Sequence, residues 1–321
     1  MGGIRVQPAG GSGQNRAVER LWQALDPDPR AALEHGLAPT DLQSLLLAVS
    51  RARAGRVSPA RVARRWREDR FVRPSEHDPR LLARIQARLW EMLPAAFVGV
   101  ELSPVAPLGT CSAVATVDQN WVVSTVRGTE VVSDPTNALA VEATTRRSAG
   151  ERGQRVDLAT CHRVLRGQAV SGPGLLAHFR LFALVSSARD QGSGITQARM
   201  LADHLRFWAR VLGELVPAAR PRLTFTAFGS TVLEERFADT IAPAVADVSP
   251  AVPLQPEPRR TRGRGYYDGA AIGLWASDGD REVDLGDGGL TTWTAALLGD
   301  AKERCLISCV SVERLLGLSR M

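Results

Sequence analysis

The chain has 321 residues, 44% of them hydrophobic and 23% charged, enough for one sizeable core with an appendage or for two modest domains. Its formal charge of +6 is carried almost wholly by arginine, Lys302 being the sole lysine; this favours anionic partners such as nucleotides or nucleic acid, or else reflects a GC-rich genome. No run approaches the roughly 18 apolar residues of a membrane span, and Met1-Gly2-Gly3-Ile4-Arg5 leads into no apolar stretch, so neither a membrane protein nor a secretory leader is expected.

Residues 1–14 are expected to be flexible, and residues 15–76 to form a small helical domain. Thr40-Asp41-Leu42-Gln43 has the form of a capping box before Leu45, Leu46, Leu47 and Val49, and Gly55 is placed to close that helix in a left-handed turn. Ser58-Pro59 predicts a second helix from Ala60 to Arg70. Its arginines 61, 64, 65, 67 and 70 surround Val62, Ala63 and Trp66. That face is either a nucleic-acid surface or a solvated one that docks Val62 and Trp66 onto the next domain. Arg73-Pro74-Ser75-Glu76-His77-Asp78-Pro79 reads as a linker.

From residue 77 to 321 the pattern predicts a second domain. An amphipathic helix is expected over 81–92, strands over 97–102 and 121–126, and a helix over 138–147 opened by Asp134-Pro135-Thr136. Strands over 161–165 and 179–185 read as an antiparallel pair joined by the glycine-rich segment 167–174. A helix over 197–216 carries Met200, Leu201, His204, Leu205, Trp208 and Leu212 on one stripe. A strand over 223–228, an irregular proline-rich stretch over 248–258, and strands over 266–275, 282–285 and 306–312 follow, with a helix over 292–298. Strands and helices without regular βαβ alternation predict an α+β fold with an antiparallel sheet flanked by helices. Cys111, Cys161, Cys305 and Cys309 lack metal-ligand spacing and read as free thiols of a reducing, cytoplasmic compartment. No Gly-x-Ser-x-Gly elbow supports a triad hydrolase.

Three segments place an arginine beside strand-like residues, where fixed guanidinium groups could grip a polyphosphate: Cys161-His162-Arg163-Val164-Leu165-Arg166-Gly167-Gln168, Arg262-Gly263-Arg264-Gly265-Tyr266-Tyr267-Asp268-Gly269, and Val310-Ser311-Val312-Glu313-Arg314-Leu315-Leu316. In this order they resemble the motifs of class II aminoacyl-tRNA synthetases, specifically histidyl-tRNA synthetases and their paralogues, over residues 80 to 321. The resemblance implies ATP and Mg2+ as cofactors. It implies that Arg163, Arg262 and Arg314 are catalytic, with Arg163, Arg166, Gln168 and Arg314 on ATP. Asp134 and Thr136 fall on the residues that cradle the substrate's ammonium group, and Tyr266 and Tyr267 on the substrate pocket. Glu303 and Glu313 are the candidates for magnesium. The helix over 81–92 and the strand after it correspond to the first motif, which implies a homodimer.

The departures from the family are equally specific. Leu165 stands where the family has the glutamate that reads adenine, and Leu181 and Val185 replace polar residues that select histidine. No anticodon-binding domain is expected in the seven residues after Arg314. The expected function is an ATP-dependent ligase that adenylates a small amino or carboxylic acid, not histidine, and transfers it to a carrier protein or metabolite. Two alternatives stand beside it: a non-catalytic regulatory paralogue, and a tRNA-binding enzyme that uses its amino-terminal basic helices.

Overall fold

The computed structural model describes residue 23 and residues 29–150, 154–168 and 176–319. The expected flexible start, residues 1–14, lies outside the described residues, as do residues 169–174 of the glycine-rich segment. Two compact units divide the chain, one of residues 1–68 with 125–128 and one of residues 69–124 with 129–321. The division falls at Glu68, ahead of the linker read near residue 76.

In the smaller unit, α1 (Pro39–Ala54) and α2 (Pro59–Glu68) bury no described side chain, and Val62 and Trp66 are exposed. Pro39 takes the first turn of α1, so Ala38 is the N-cap and Thr40 caps nothing. Gly55 keeps a right-handed φ of −60° instead of the expected left-handed turn. Ser58 does cap α2, its Oγ accepting the Arg61 N–H at 3.3 Å, and α2 ends at Glu68, short of Arg70.

The larger unit opens with α3 (Pro79–Met92). Asp78 accepts the Arg80 N–H at 2.8 Å, Pro79 fills the first turn, and Leu82, Ile85, Leu89 and Met92 form the buried stripe. Then come β1 (Val98–Gly99), β2 (Val105–Pro107), α4 (Thr110–Ala115), β3 (Thr129–Val131), α5 (Pro135–Ala149), and the long strands β4 (Val156–Leu165) and β5 (His178–Arg189). α6 (Ile195–Leu215), β6 (Arg222–Ala227), α7 (Thr231–Arg236), α8 (Ala242–Ala246) and β7 (Leu254–Pro256) follow. β8 (Ala270–Asp278), β9 (Arg281–Thr291), α9 (Trp293–Leu298), β10 (Glu303–Ser311) and α10 (Val312–Leu318) complete the order.

An eight-stranded sheet runs β1-β4-β5-β10-β9-β8-β6-β7, antiparallel except for the parallel outer pairs β1/β4 and β6/β7. β2 and β3 form a separate antiparallel ribbon. The predicted α+β antiparallel architecture is therefore the one observed. Alternation along each strand divides its side chains between two faces. Ala159, Phe182, Leu184, Leu306 and Val310 pack in one core with residues of α3, α6 and α10; Leu158, Ala183, Val185, Cys305 and Ile307 pack in another with residues of α5 and α9. The first face is termed the back and the second the front. Among the described residues no helix is long and apolar enough to cross a membrane, and all four cysteines are free.

The back core holds one polar chain. His204 of α6 is fully buried, its Nε2 2.9 Å from Ser186 Oγ and its Nδ1 2.8 Å from Ser308 Oγ, which also accepts the Trp208 Nε1–H at 2.8 Å. Burial holds His204 well below its ordinary value, with Arg155 adding to the effect. The unfolded chain takes up this proton near pH 6.5 and the folded chain does not, so stability is present above that pH and is lost as the pH falls below it. Urea unfolding is expected to show a slope approaching about 1.4 kcal/mol per pH unit below pH 6.5 from this group. His204→Gln should remove that component, and an unchanged slope in the variant would assign it elsewhere.

Several expected elements differ for local reasons. Residues 121–126 form no strand. Asp118 instead caps a short turn over Gln119–Trp121 by accepting the Asn120 N–H at 2.9 Å, and Ser124 makes a single bridge to Glu130. The strand expected over 97–102 shrinks to two residues on β4, and residues 254–256 of the irregular stretch add a strand to β6. Tyr266 and Tyr267 precede their strand. Gly263 and Gly265, at φ of 79° and 85°, turn the chain so that both tyrosine N–H groups bond Gly263 O, and β8 starts at Ala270. The inward–outward alternation expected of the two tyrosines therefore does not apply.

Candidate active site

The front face gathers a polar cluster above β10 and β9. On one side α5 opens at Asp134, whose Oδ1 accepts the Thr136 N–H at 3.0 Å and the Thr136 hydroxyl at 2.8 Å, as an N-cap does. Arg166, just past β4, donates its Nε–H to Ser133 O at 3.0 Å, sets Nη2 3.6 Å from Asp134 Oδ2, and lies 5.1 Å over the Phe179 ring. Beside them the Tyr266 and Tyr267 rings meet edge to face at 5.0 Å, and Tyr266 meets Trp293 at 5.7 Å. Burial pushes the Tyr266 hydroxyl well above its usual range, and the Asp134 and Asp287 carboxylates add to the shift.

The other side is built on arginines. Arg260, 6% exposed, donates to Arg262 O at 2.9 Å, Ile272 O at 3.0 Å and Asp287 Oδ2 at 3.1 Å. Arg262 is ion-paired to Asp284 and lies 3.5 Å from Asp287. Burial works to lower the Arg262 pKa, but Asp287 and Asp284 outweigh it and hold it above the ordinary value. Burial raises Asp287 against the pull of Arg262 and Arg260, and the Tyr267 hydroxyl bonds the same carboxylate. Arg314, on the first turn of α10, donates to the main-chain oxygen of Asp284. Room for Tyr267 comes from Gly289 beneath it, where a β-carbon would lie 2.5 Å from the ring.

The sheet thus brings Asp134, Thr136, Arg166, Tyr266, Tyr267, Arg262 and Arg314 to one linked cluster. Arg163 is not among them. It stands directly opposite Arg180 on β5, on the back face, and donates from Nε at 3.1 Å and Nη2 at 2.7 Å to His178 Nδ1. Val164 and Leu181, one residue away on each strand, are the ones that pack on the front with Val132. Leu165 shares the back face with Arg163. Gln168 lies at the end of the strand, where its carbonyl accepts the Arg70 Nη1–H at 2.7 Å.

The magnesium candidates stand at the start of β10 and in the first turn of α10, and have other partners. Glu303 is in a buried ion pair with Arg147 at 2.5 Å, and the Glu313 carboxylate accepts the Arg180 main-chain N–H with both oxygens at 2.9 Å. A nine-residue strand separates them by roughly 25 Å or more, so they form no common metal site. Among the described residues no group of three His, Cys, Asp or Glu could hold a metal ion. Glu303 and Glu313 therefore share no magnesium site, whereas the guanidinium groups of Arg166, Arg262 and Arg314 fit a polyphosphate.

Arg260, Asp284 and Asp287 are absent from the sequence reading. Asp287 had a signal, a lone acid within Gly286-Asp287-Gly288-Gly289, where a charge among glycines in a strand marks a special position. Arg260 had none beyond its neighbour Arg259.

No protein-family model matches the chain, and no curated protein matches it in sequence. Solved structures do match in fold. The histidyl-tRNA synthetase of Nostoc superposes with a TM-score of 0.57 at 13% identity, over 78% of this chain and 74% of that one. A Bacillus halodurans protein described as an ATP phosphoribosyltransferase regulatory subunit/histidyl-tRNA synthetase gives 0.56 at 12% identity, over 75% and 80%. The S. aureus histidyl-tRNA synthetase gives 0.54 at 16% identity, over 74% of this chain and 64% of its own length. The chain has the fold of a class II aminoacyl-tRNA synthetase core. Within that class its structural neighbours include histidyl-tRNA synthetases and the Bacillus halodurans regulatory-type protein.

Proposed function

We propose that the front-face cluster binds a small amino or carboxylic acid, activates it with ATP, and passes the acyl group to an acceptor other than tRNA, such as a carrier protein or metabolite. The supporting observation is the convergence of Asp134, Arg166, Tyr266, Tyr267, Arg262 and Arg314 on one sheet face. Asp134 Oδ1 is taken by Thr136, and Oδ2, 3.6 Å from Arg166 Nη2, is the oxygen that would receive an ammonium group. A substrate carboxylate oxygen forms a bond to the α-phosphorus while the bond from that phosphorus to the bridging oxygen breaks, and pyrophosphate leaves with the electron pair. The acceptor's nucleophilic atom then bonds the acyl carbon as the carbon–oxygen bond to AMP breaks, AMP leaves with that pair and the acceptor's proton passes to solvent. Arg262 and Arg166 stabilise the charge at the α-phosphate, and Arg314 faces the leaving phosphates. In the same reading two copies pair through α3 and β1, whose Trp90 and Val98 are exposed.

A second reading rests on Arg163. With this arginine and Leu165 on the back, the cleft carries fewer nucleotide contacts than the family motif implies, which favours a non-catalytic regulatory protein. Exchange of labelled pyrophosphate into ATP, measured across a panel of amino and carboxylic acids, separates the two. Exchange dependent on one acid supports the ligase, and no exchange with any acid supports the regulator.

A further inference from the structure

Arg163 and Arg180 form a directly opposed pair of like charges on neighbouring antiparallel strands, an arrangement that destabilises a sheet unless something offsets it. Neither guanidinium forms an ion pair among the described residues. Arg163 spends its donors on an imidazole nitrogen, and that ring is in turn tied through Nε2 to Arg73 O at 2.7 Å. The one carboxylate packed against the pair is buried Glu313. It offsets part of the charge of Arg163, yet its two oxygens already accept the Arg180 main-chain N–H. Segment 70–73 lies against the same hairpin, through the Arg73 carbonyl on His178 and through Arg70. Arg70 donates to Gln168 O and Gly167 O and also has no ion pair among the described residues.

The cations are held in place before any ligand arrives. His178 orients the Arg163 guanidinium, the β4–β5 ladder sets the Arg180 backbone directly opposite, and two carbonyls hold Arg70. Arg163 is exposed, so its remaining donors face solvent. Two neighbouring guanidinium groups with no carboxylate ion pair among the described residues and only Glu313 to offset their charge match a dianion with several acceptor oxygens, and phosphate answers that description better than a single carboxylate.

We infer that Arg163 and Arg180, the first oriented by His178, form a phosphate-binding site on the back face, separate from the front-face cluster and taking the phosphate group of a small phosphorylated molecule. This site does not depend on the ligase reading.

Calorimetric titration of the full chain with inorganic phosphate and with pyrophosphate tests it. Saturable binding of inorganic phosphate is expected, weakened about tenfold by Arg163→Gln and by Arg180→Gln, with partial recovery in Arg163→Lys and no change in Arg281→Gln, an exposed arginine outside both clusters. Arg163 is exposed, so its variants are expected to fold, which far-ultraviolet circular dichroism checks. No saturable binding, equal binding by wild type and Arg163→Gln, or an equal loss in Arg281→Gln would overturn the site. Tighter binding of a short single-stranded RNA, lost in the same variants, would overturn it in favour of a polynucleotide surface.

Discussion

Glu303→Ala is expected to lower the unfolding free energy by about 3–5 kcal/mol, because it strands a buried cation. Arg147 and Glu303 have side-chain exposures of 3% and 5%, and their pair joins the last turns of α5 to the start of β10. Arg147 also donates to Gln154 O, and Ser187 Oγ lies 3.5 Å from Glu303, so the guanidinium stays anchored in the interior when the carboxylate is lost. Replacing both partners, as in Arg147→Met with Glu303→Leu, should recover most of the loss, since apolar residues of similar volume often match a buried pair. Urea unfolding of the two variants reads this directly. A single variant as stable as wild type would show that the charge escapes to solvent.

Arg262→Ala is expected to reduce pyrophosphate exchange by about 100- to 1,000-fold, the scale seen when one preorganised transition-state donor is removed. Arg163→Ala, on the back face, should leave exchange within about threefold of wild type. The contrast matters more than either number. The family motif assigns both arginines to the α-phosphate, whereas the fold sets them on opposite faces of one sheet. Loss of exchange in Arg163→Ala with retention in Arg262→Ala would reverse the assignment of the cleft.

Much of the frame was legible from local rules. Helices α3 and α6 announced themselves by a 3.6-residue apolar stripe, α2 by Ser58-Pro59, and α5 by Asp134-Pro135-Thr136. The β4–β5 pair was legible from its β-branched and aromatic runs, though both strands are longer than expected. The site was legible in part. Tyr266, Tyr267, Asp134 and Arg262 were singled out and do converge, but the carboxylates that hold Arg262 were not, because an ion pair between a loop and β9 has no short-range signature. Nor could Arg163 be placed. Period two shows that Arg163 and Leu165 share a face and that His162 and Val164 share the other, without saying which face meets the helices.

Such sequences can diverge by inverting a strand's faces. Along β4 the difference between a guanidinium in the cleft and one outside it is a single residue of chain length, since a one-residue slip inverts every side chain of a strand. An insertion or bulge one residue ahead of Arg163 would carry it to the front together with Leu165, and would send His162 and Val164 to the back. The order of motif residues along a strand therefore leaves their side of the sheet undetermined, and a chain can keep the spelling of a nucleotide-binding motif while turning it inside out.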